Sequence, residues 1–213
     1  MNDYRSERTE LLETARAMNQ CGLNQGASGN LSLRVGDGFL ITPSGLDYAQ
    51  CSADSMVLMS MQGEWQGALK PSSEWRFHRD IYLKRAEAGA IVHAHPHWCT
   101  TLACLNLEIP AFHYMIAMAG GKTLRCASYA TFGTQDLSDN ILQALEDRKA
   151  CLIANHGMIA FQTSLGKALA LAVEIEHLAQ VYSQCRMLGE PVILDDQEMD
   201  VILEKFKSYG NRA

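Results

Sequence analysis

Two histidines one residue apart, His93 and His95 in Ile91-Val92-His93-Ala94-His95-Pro96-His97, are the pair in this 213-residue chain that packing explains least well. Side chains alternate along a strand, so both imidazoles leave one face while Ala94 turns to the other. Imidazoles held that close suit a divalent metal, and zinc accepts them readily. The same spacing also arises by chance on surfaces, so the motif alone does not fix a metal. His156 is a third candidate, standing between two short apolar runs beside Gly157, whose missing side chain permits a bulge. Alone it reads better as a buried histidine bonded to backbone. Beside His93 and His95 it completes three ligands with a labile fourth position, the pattern of a catalytic zinc site. Glu74 is the candidate acid or base, its plainer role being a first-turn glutamate that offsets a helix dipole by about 0.3–1 kcal/mol. His78, one turn later, reads as a packing or surface histidine, and His97 and His113 have no assignable partner.

Three turns supply the other half of a possible site. Ser28-Gly29-Asn30, Ser44-Gly45 and Ser72-Ser73 each offer hydroxyls, backbone N–H groups or a glycine that allows close approach. Singly each is explained as a turn. Jointly they could hold a phosphate without lysine or arginine, the third at a helix N-terminus. Nucleotide binding is unsupported, because the chain has neither a Walker loop nor G-x-G-x-x-G.

The elements that must position these residues follow from periodicity. The spacing predicts an amphipathic helix over 5–19, a strand over 31–35 turning at Gly36-Asp37-Gly38 into 39–42, and a second hairpin over 56–65. A helix capped by Ser72 or Ser73 runs to about Ala88, then a central strand over 90–95 and a short helix over 98–105. After the loop Tyr129-Ala130-Thr131-Phe132-Gly133-Thr134 come a helix over 136–148, strands over 151–154 and 158–161, a long helix over 165–188 and a last one over 196–209. No linker divides the chain. We therefore expect a single α+β domain over 1–213, a mainly antiparallel sheet flanked by helices.

Composition narrows the partners. Hydrophobic residues at 47% and charged residues at 20% indicate a globular protein. Lys+Arg 18 against Asp+Glu 24 leaves a net charge of −6, which argues against nucleic acid as a partner but allows a small anionic substrate. The polar opening residues and the lack of an apolar run of ~18 residues predict no membrane association and a cytoplasmic protein. Seven scattered cysteines read as reduced thiols, with Cys99, Cys104, Cys126 and Cys151 among apolar neighbours.

With these segments assembled, the chain resembles the class II aldolase/adducin family, closest to its L-fuculose-1-phosphate aldolase branch. The resemblance is carried by Gly22-Leu23-Asn24-Gln25-Gly26, Ser28-Gly29-Asn30, Ile41-Thr42-Pro43-Ser44-Gly45, Pro71-Ser72-Ser73-Glu74-Trp75-Arg76-Phe77-His78, His93-Ala94-His95, Ile109 to Met115, Tyr129 to Thr134, His156-Gly157 and Leu203 to Lys207. It implies the family fold and a C4 homotetramer with active sites at subunit interfaces. It also implies one zinc, or another divalent metal, per subunit on His93, His95, His156 and Glu74, with Glu74 serving as acid/base once substrate displaces it. Gly29, Asn30, Ser44, Gly45, Ser72 and Ser73 would hold the phosphate. Tyr114 of a neighbouring subunit would handle a hydroxyl proton, and the tail with Tyr209 would help close the site. Ala27-Ser28 departs from the Thr-Ala of the familiar pattern.

The implied reaction is reversible cleavage of a ketose 1-phosphate to dihydroxyacetone phosphate and a small aldehyde, with L-fuculose 1-phosphate giving L-lactaldehyde as the reference. The alternative is a salvage aldolase for 5-deoxyribulose 1-phosphate or 5-(methylthio)ribulose 1-phosphate, whose deoxy or thioether tail Met115 or Met118 would suit. Related 4-epimerases carry aspartate where Glu74 stands. Non-catalytic adducin-like domains lack the histidines that this chain keeps.

Overall fold

The computed structural model describes residues 3–208. Helix α1 (Arg5–Gln20) leads to a hairpin of β1 (Asn30–Val35) and β2 (Gly38–Ile41), then β3 (Val57–Ser60) and the two-residue β4 (Trp65–Gln66). Helix α2 (Trp75–Lys84), strand β5 (Ala90–Ala94) and helix α3 (His97–Cys104) follow. A 3-10 segment (Tyr114–Ala119) precedes β6 (Cys126–Ala127), α4 (Gln135–Ala144), β7 (Ala150–Ile153), β8 (Gly157–Gln162), α5 (Leu165–Leu188) and α6 (Asp196–Ser208). The strands form one eight-stranded sheet in the order β4-β3-β2-β1-β5-β8-β7-β6. Every pairing is antiparallel except β6 with β7.

Alternation divides the sheet between two cores. Leu31, Leu40, Val92, Ala94, Leu152 and Met158 face α1, α3, α5 and α6, whereas Phe39, Ile41, Ile91, Cys151, Ile153 and Ile159 face α2 and α4. Strand β5 is therefore buried on both sides, with all five residues covered. His93 takes the α2 side, where the Phe77 ring meets it edge-on at 5.3 Å. Helix α5 buries one face along its length, from Leu165 through Leu171 and Leu178 to Tyr182, while apolar Val173, Met187 and Leu188 stay exposed.

Several boundaries differ from expectation for reasons that lie far away in the chain. Helix α2 stops at Lys84 rather than near Ala88: Arg85 is extended, and its guanidinium reaches the carbonyls of Leu145 at 2.6 Å and Arg148 at 2.9 Å. Arg34 takes up the carbonyls left at that end, those of Tyr82, Arg85 and Ala88. Neither Ser72 nor Ser73 caps α2; Glu74 is the N-cap residue, and its own backbone N–H donates to Ser72 Oγ at 3.3 Å. Helix α4 ends at Ala144, four residues early, and the chain then turns through Asp147 at φ 56°. All seven cysteines are free, but Cys104, on the outer side of α3, is exposed rather than buried. Among the described residues no helix is long and apolar enough to cross a membrane. Tyr209 lies outside the described residues.

Gly157 is fixed by the close approach of β8 to β5: a Cβ there would lie 2.4 Å from the Ala94 carbonyl oxygen and 2.7 Å from the His95 ring. Gly157→Ala is accordingly expected to lower stability by about 1–3 kcal/mol through overpacking, measured by urea denaturation. A wild-type midpoint would show that the two strands separate freely.

Candidate active site and metal centre

Strand register builds the site. β1 pairs with β5 so that Asn30 stands opposite His93, and β5 pairs with β8 so that Ala94 stands opposite Met158. The second pairing brings the β7–β8 turn to the end of β5. In that turn Asn155 takes φ 53° and the His156 N–H bonds to the Ile153 carbonyl at 3.0 Å, so the imidazole faces His93 and His95. Ring centroids are then 4.7 to 4.8 Å apart in all three pairs. One ligand atom from each ring lies within 4.8 Å of the others.

The N-terminus of α2 places Glu74 against this triangle. Its Oε2 is 3.2 Å from His93 Nε2 and its Oε1 3.2 Å from His156 Nε2, with the residue only 5% exposed. Oε2 also accepts from Asn30 Nδ2 at 2.8 Å, whereas buried Oε1 has no hydrogen-bond partner among the described residues. His93 Nδ1 lies 2.8 Å from the Met158 carbonyl, which can only accept, so a neutral His93 presents a bare Nε2. His95 Nε2 is 2.9 Å from that atom. Facing imidazole nitrogens and an orphaned carboxylate oxygen are poorly satisfied by one another and well satisfied by a cation among them. Three nitrogens and one oxygen fit zinc and other borderline divalent metals alike.

The electrostatics keep the ligands in binding form. Burial, then the neighbouring His93 and His156 rings, pulls His95 down to about 3, against partial opposition from Glu74. Burial would push the Glu74 carboxyl up, but the closeness of His93 and His156 outweighs it and holds the group well below the usual carboxylate range.

The three serine–glycine turns are gathered by a row of backbone bonds. The Thr42 N–H donates to the Leu31 carbonyl, the Ser72 N–H to the Thr42 carbonyl and the Ser44 N–H to the Lys70 carbonyl, at 3.0 to 3.1 Å. Ser44, Gly45 and Ser73 are exposed, while Asn30 and Ser72 are buried. Gly29 has no room for a Cβ, which would lie 2.7 Å from the His93 carbonyl oxygen, and its own carbonyl accepts from the buried Tyr48 hydroxyl, whose pKa burial pushes up to about 12. Beside them a cleft of about 270 Å³ is lined by Ser73, Glu74, His95, His156, Tyr129 and Phe132. Tyr114 is not among its lining residues; it sits 49% exposed on the 3-10 segment, near Phe206.

Three contributions were not assigned a role from the sequence. His78 is a fully buried member of a polar chain ending at Glu74, not a surface or packing residue. Glu176 of α5 accepts the N–H groups of Trp98 and Cys99 at 2.9 and 2.8 Å, holding the start of α3 just after His95. Tyr129 and Phe132, 60% and 65% exposed, stand at the cleft mouth. Glu176 could not be told from Glu174 two residues before it on the same helix.

An eight-stranded sheet that carries a three-histidine centre with an adjoining buried carboxylate defines a metal-dependent enzyme. The chain belongs to the Class II Aldolase and Adducin N-terminal domain family, matching it over residues 9–183. It is 54% identical over 203 residues, covering 95% of this chain and 92% of the relative, to a 5-methylthioribulose-1-phosphate/5-deoxyribulose-1-phosphate aldolase of Rhodospirillum rubrum. It is 48% identical over 204 residues, 95% of each, to the L-fuculose phosphate aldolase of Escherichia coli (strain K12). A solved L-fuculose 1-phosphate aldolase superposes with a TM-score of 0.91 at 40% identity over 97% of both chains. The protein is therefore a class II aldolase, of a metal-dependent class.

Two outcomes follow. The purified protein is expected to take up roughly one divalent ion per chain and melt higher when loaded, and His93→Ala or His156→Ala to lose both effects in elemental analysis and thermal melts. Retained stoichiometry in both variants would move the metal elsewhere. Folded His78 and His95 both titrate at about 3, below the unfolded value near 6.5, so their contribution is complete above pH 6.5 and is lost as pH falls toward 3. The urea midpoint of metal-free protein should fall on acidification across that window; a rising midpoint would contradict these neutral rings.

Proposed function

We propose that this protein is a zinc-type ketose-1-phosphate aldolase of a salvage route, cleaving 5-deoxyribulose 1-phosphate or 5-(methylthio)ribulose 1-phosphate to dihydroxyacetone phosphate and the corresponding aldehyde. The aldolase chemistry rests on one observation above others: the buried, ionised Glu74 carboxylate facing His93 and His156 at 3.2 Å. The preference for a deoxy or thioether tail over L-fuculose 1-phosphate draws on the 54% relative bearing the salvage name, against 48% for the fuculose enzyme. L-Fuculose 1-phosphate is accordingly the second candidate substrate.

A divalent cation on His93, His95, His156 and Glu74 supplies Lewis acidity for the negative charge that C3–C4 cleavage leaves on the three-carbon half. Glu74 would pass to C3 the proton that leaves the C4 hydroxyl, ending ionised as it began. Asn30 keeps one amide proton beyond the bond to Glu74, and with the Gly29 backbone, Ser44, Gly45, Ser72 and Ser73 it binds the phosphate. That grip fixes C1 and leaves the far end of the sugar to the cleft mouth. Removal of the C4 hydroxyl proton falls to Tyr114, and its exposure away from its own cleft supports delivery by a neighbouring copy. A C4 tetramer in the cytoplasm is the setting this reading requires. A 4-epimerase is disfavoured by glutamate rather than aspartate at position 74, and an adducin-like scaffold by the intact histidines.

The test is a coupled assay for dihydroxyacetone phosphate over the 5-deoxyribulose, 5-(methylthio)ribulose, L-fuculose and L-rhamnulose 1-phosphates, with and without chelator. The salvage substrates should give the highest kcat/KM, chelation should abolish turnover, and Glu74→Gln should lose about 10²–10⁴-fold. Cleavage unaffected by thorough chelation overturns the metal mechanism, and a clear preference for L-fuculose 1-phosphate overturns the substrate.

A further inference from the structure

Behind Glu74 lies a run of polar side chains with no access to water. Tyr82 Oη is 2.8 Å from Ser32 Oγ, Ser32 Oγ is 2.7 Å from His78 Nδ1, and His78 Nε2 is 2.6 Å from Asn30 Oδ1. Asn30 Nδ2 then donates to Glu74 Oε2 at 2.8 Å. Exposure along the run is 2% for Tyr82, 0% for Ser32 and His78, 4% for Asn30 and 5% for Glu74. Polar groups this deep are retained only when each is satisfied, and here the satisfaction can run in one direction.

Both ends impose that direction independently. At one end a carboxylate only accepts, so the Asn30 amide must turn its NH2 to Glu74 and its carbonyl to His78. The ring proton of neutral His78 is then on Nε2, leaving Nδ1 to accept from the Ser32 hydroxyl. At the other end, among the described residues Ser32 Oγ is the acceptor in reach of the Tyr82 hydroxyl, and the Tyr82 ring itself meets the Phe39 ring and the Arg34 guanidinium. Reversing the run would bring an amide oxygen against the carboxylate and leave the phenol proton without an acceptor.

We infer that His78 is a positioning residue: its Nε2–H locks the Asn30 amide in the orientation that aims a donor at Glu74, with Ser32 and Tyr82 fixing the ring tautomer. The inference rests on Glu74 acting as proposed above. Without the ring proton Asn30 is free to flip, and a flipped amide presents its oxygen to the carboxylate. Glu74 then loses the bond that holds Oε2 while substrate takes its place at the metal.

Two variants of similar size separate this role from core filling. His78→Met keeps bulk without a donor, whereas His78→Gln restores an amide N–H near the position of Nε2. His78→Met should lower kcat/KM by about 10–100-fold, the usual range for a partner that orients a metal-site ligand, and His78→Gln should recover most of that loss. Equal losses in both would reduce His78 to packing, and a wild-type rate in His78→Met would remove its role. Nitrogen-15 NMR of the wild-type protein decides the direction of the run without any substrate: His78 should be the Nε2–H tautomer, and an Nδ1–H signal overturns the inference. If wild-type protein cleaves no ketose 1-phosphate, the proposed function fails while the tautomer still decides the orientation. If Glu74→Gln is inactive and His78→Met is not, only the positioning role fails.

Discussion

The antiparallel pairing that sets Asn30 opposite His93 is the constraint on which the rest of this structure depends. It delivers the asparagine to the side of the imidazole where Glu74 arrives from the start of α2. It also continues sideways, through Leu31, Thr42 and Ser72, into the row of turns that can receive an anion. A slip of one residue would send every side chain of β1 to the opposite core and leave His93 facing a hydrophobe. Register is secured by burial on both faces of β5 and by the glycine that lets β8 lie against it.

That arrangement concentrates charge in a dry place, which is ordinarily unfavourable. A buried carboxylate costs several kcal/mol unless partners replace its lost hydration. Here one amide donates to Oε2 and two imidazoles lie 3.2 Å away, while Oε1 has no hydrogen-bond partner among the described residues. The apo arrangement is therefore incompletely satisfied, and a cation completes it. Metal binding and local order are coupled as a result, because residues 74, 93, 95 and 156 come from three separate parts of the chain.

Much of this was legible beforehand, and the parts that were not share a cause. The pair His93 and His95 announced itself because strand alternation is a local rule. Helix α5 and the hairpin at Gly36-Asp37 followed from short-range patterning in the same way. Helix ends were misplaced where distant groups decide them, as Arg34 and Arg85 do at the end of α2. His78 resembled an ordinary helix residue, because its partners Ser32 and Asn30 are 46 and 48 positions away. Glu74 stood out as the candidate acid or base, but its nearness to a helix start equally allowed a dipole role; the inward turn of its side chain to the imidazoles is set by residues 19 and 82 positions away. Tyr114 was singled out by resemblance alone, and its exposed position could not have been read from periodicity.

The sheet ends in two very short strands, β4 and β6, each of two residues. Unpaired backbone at a sheet border is a template for a foreign strand, and its danger grows with the length of free ladder. The apolar, fully covered strands β5 and β7, with β8 between them, are the segments of this chain most suited to sticking to other chains. The border strands screen them from solvent neighbours while offering too little ladder themselves to recruit one. Free ladder at either border is thus too short for a second sheet to extend this one.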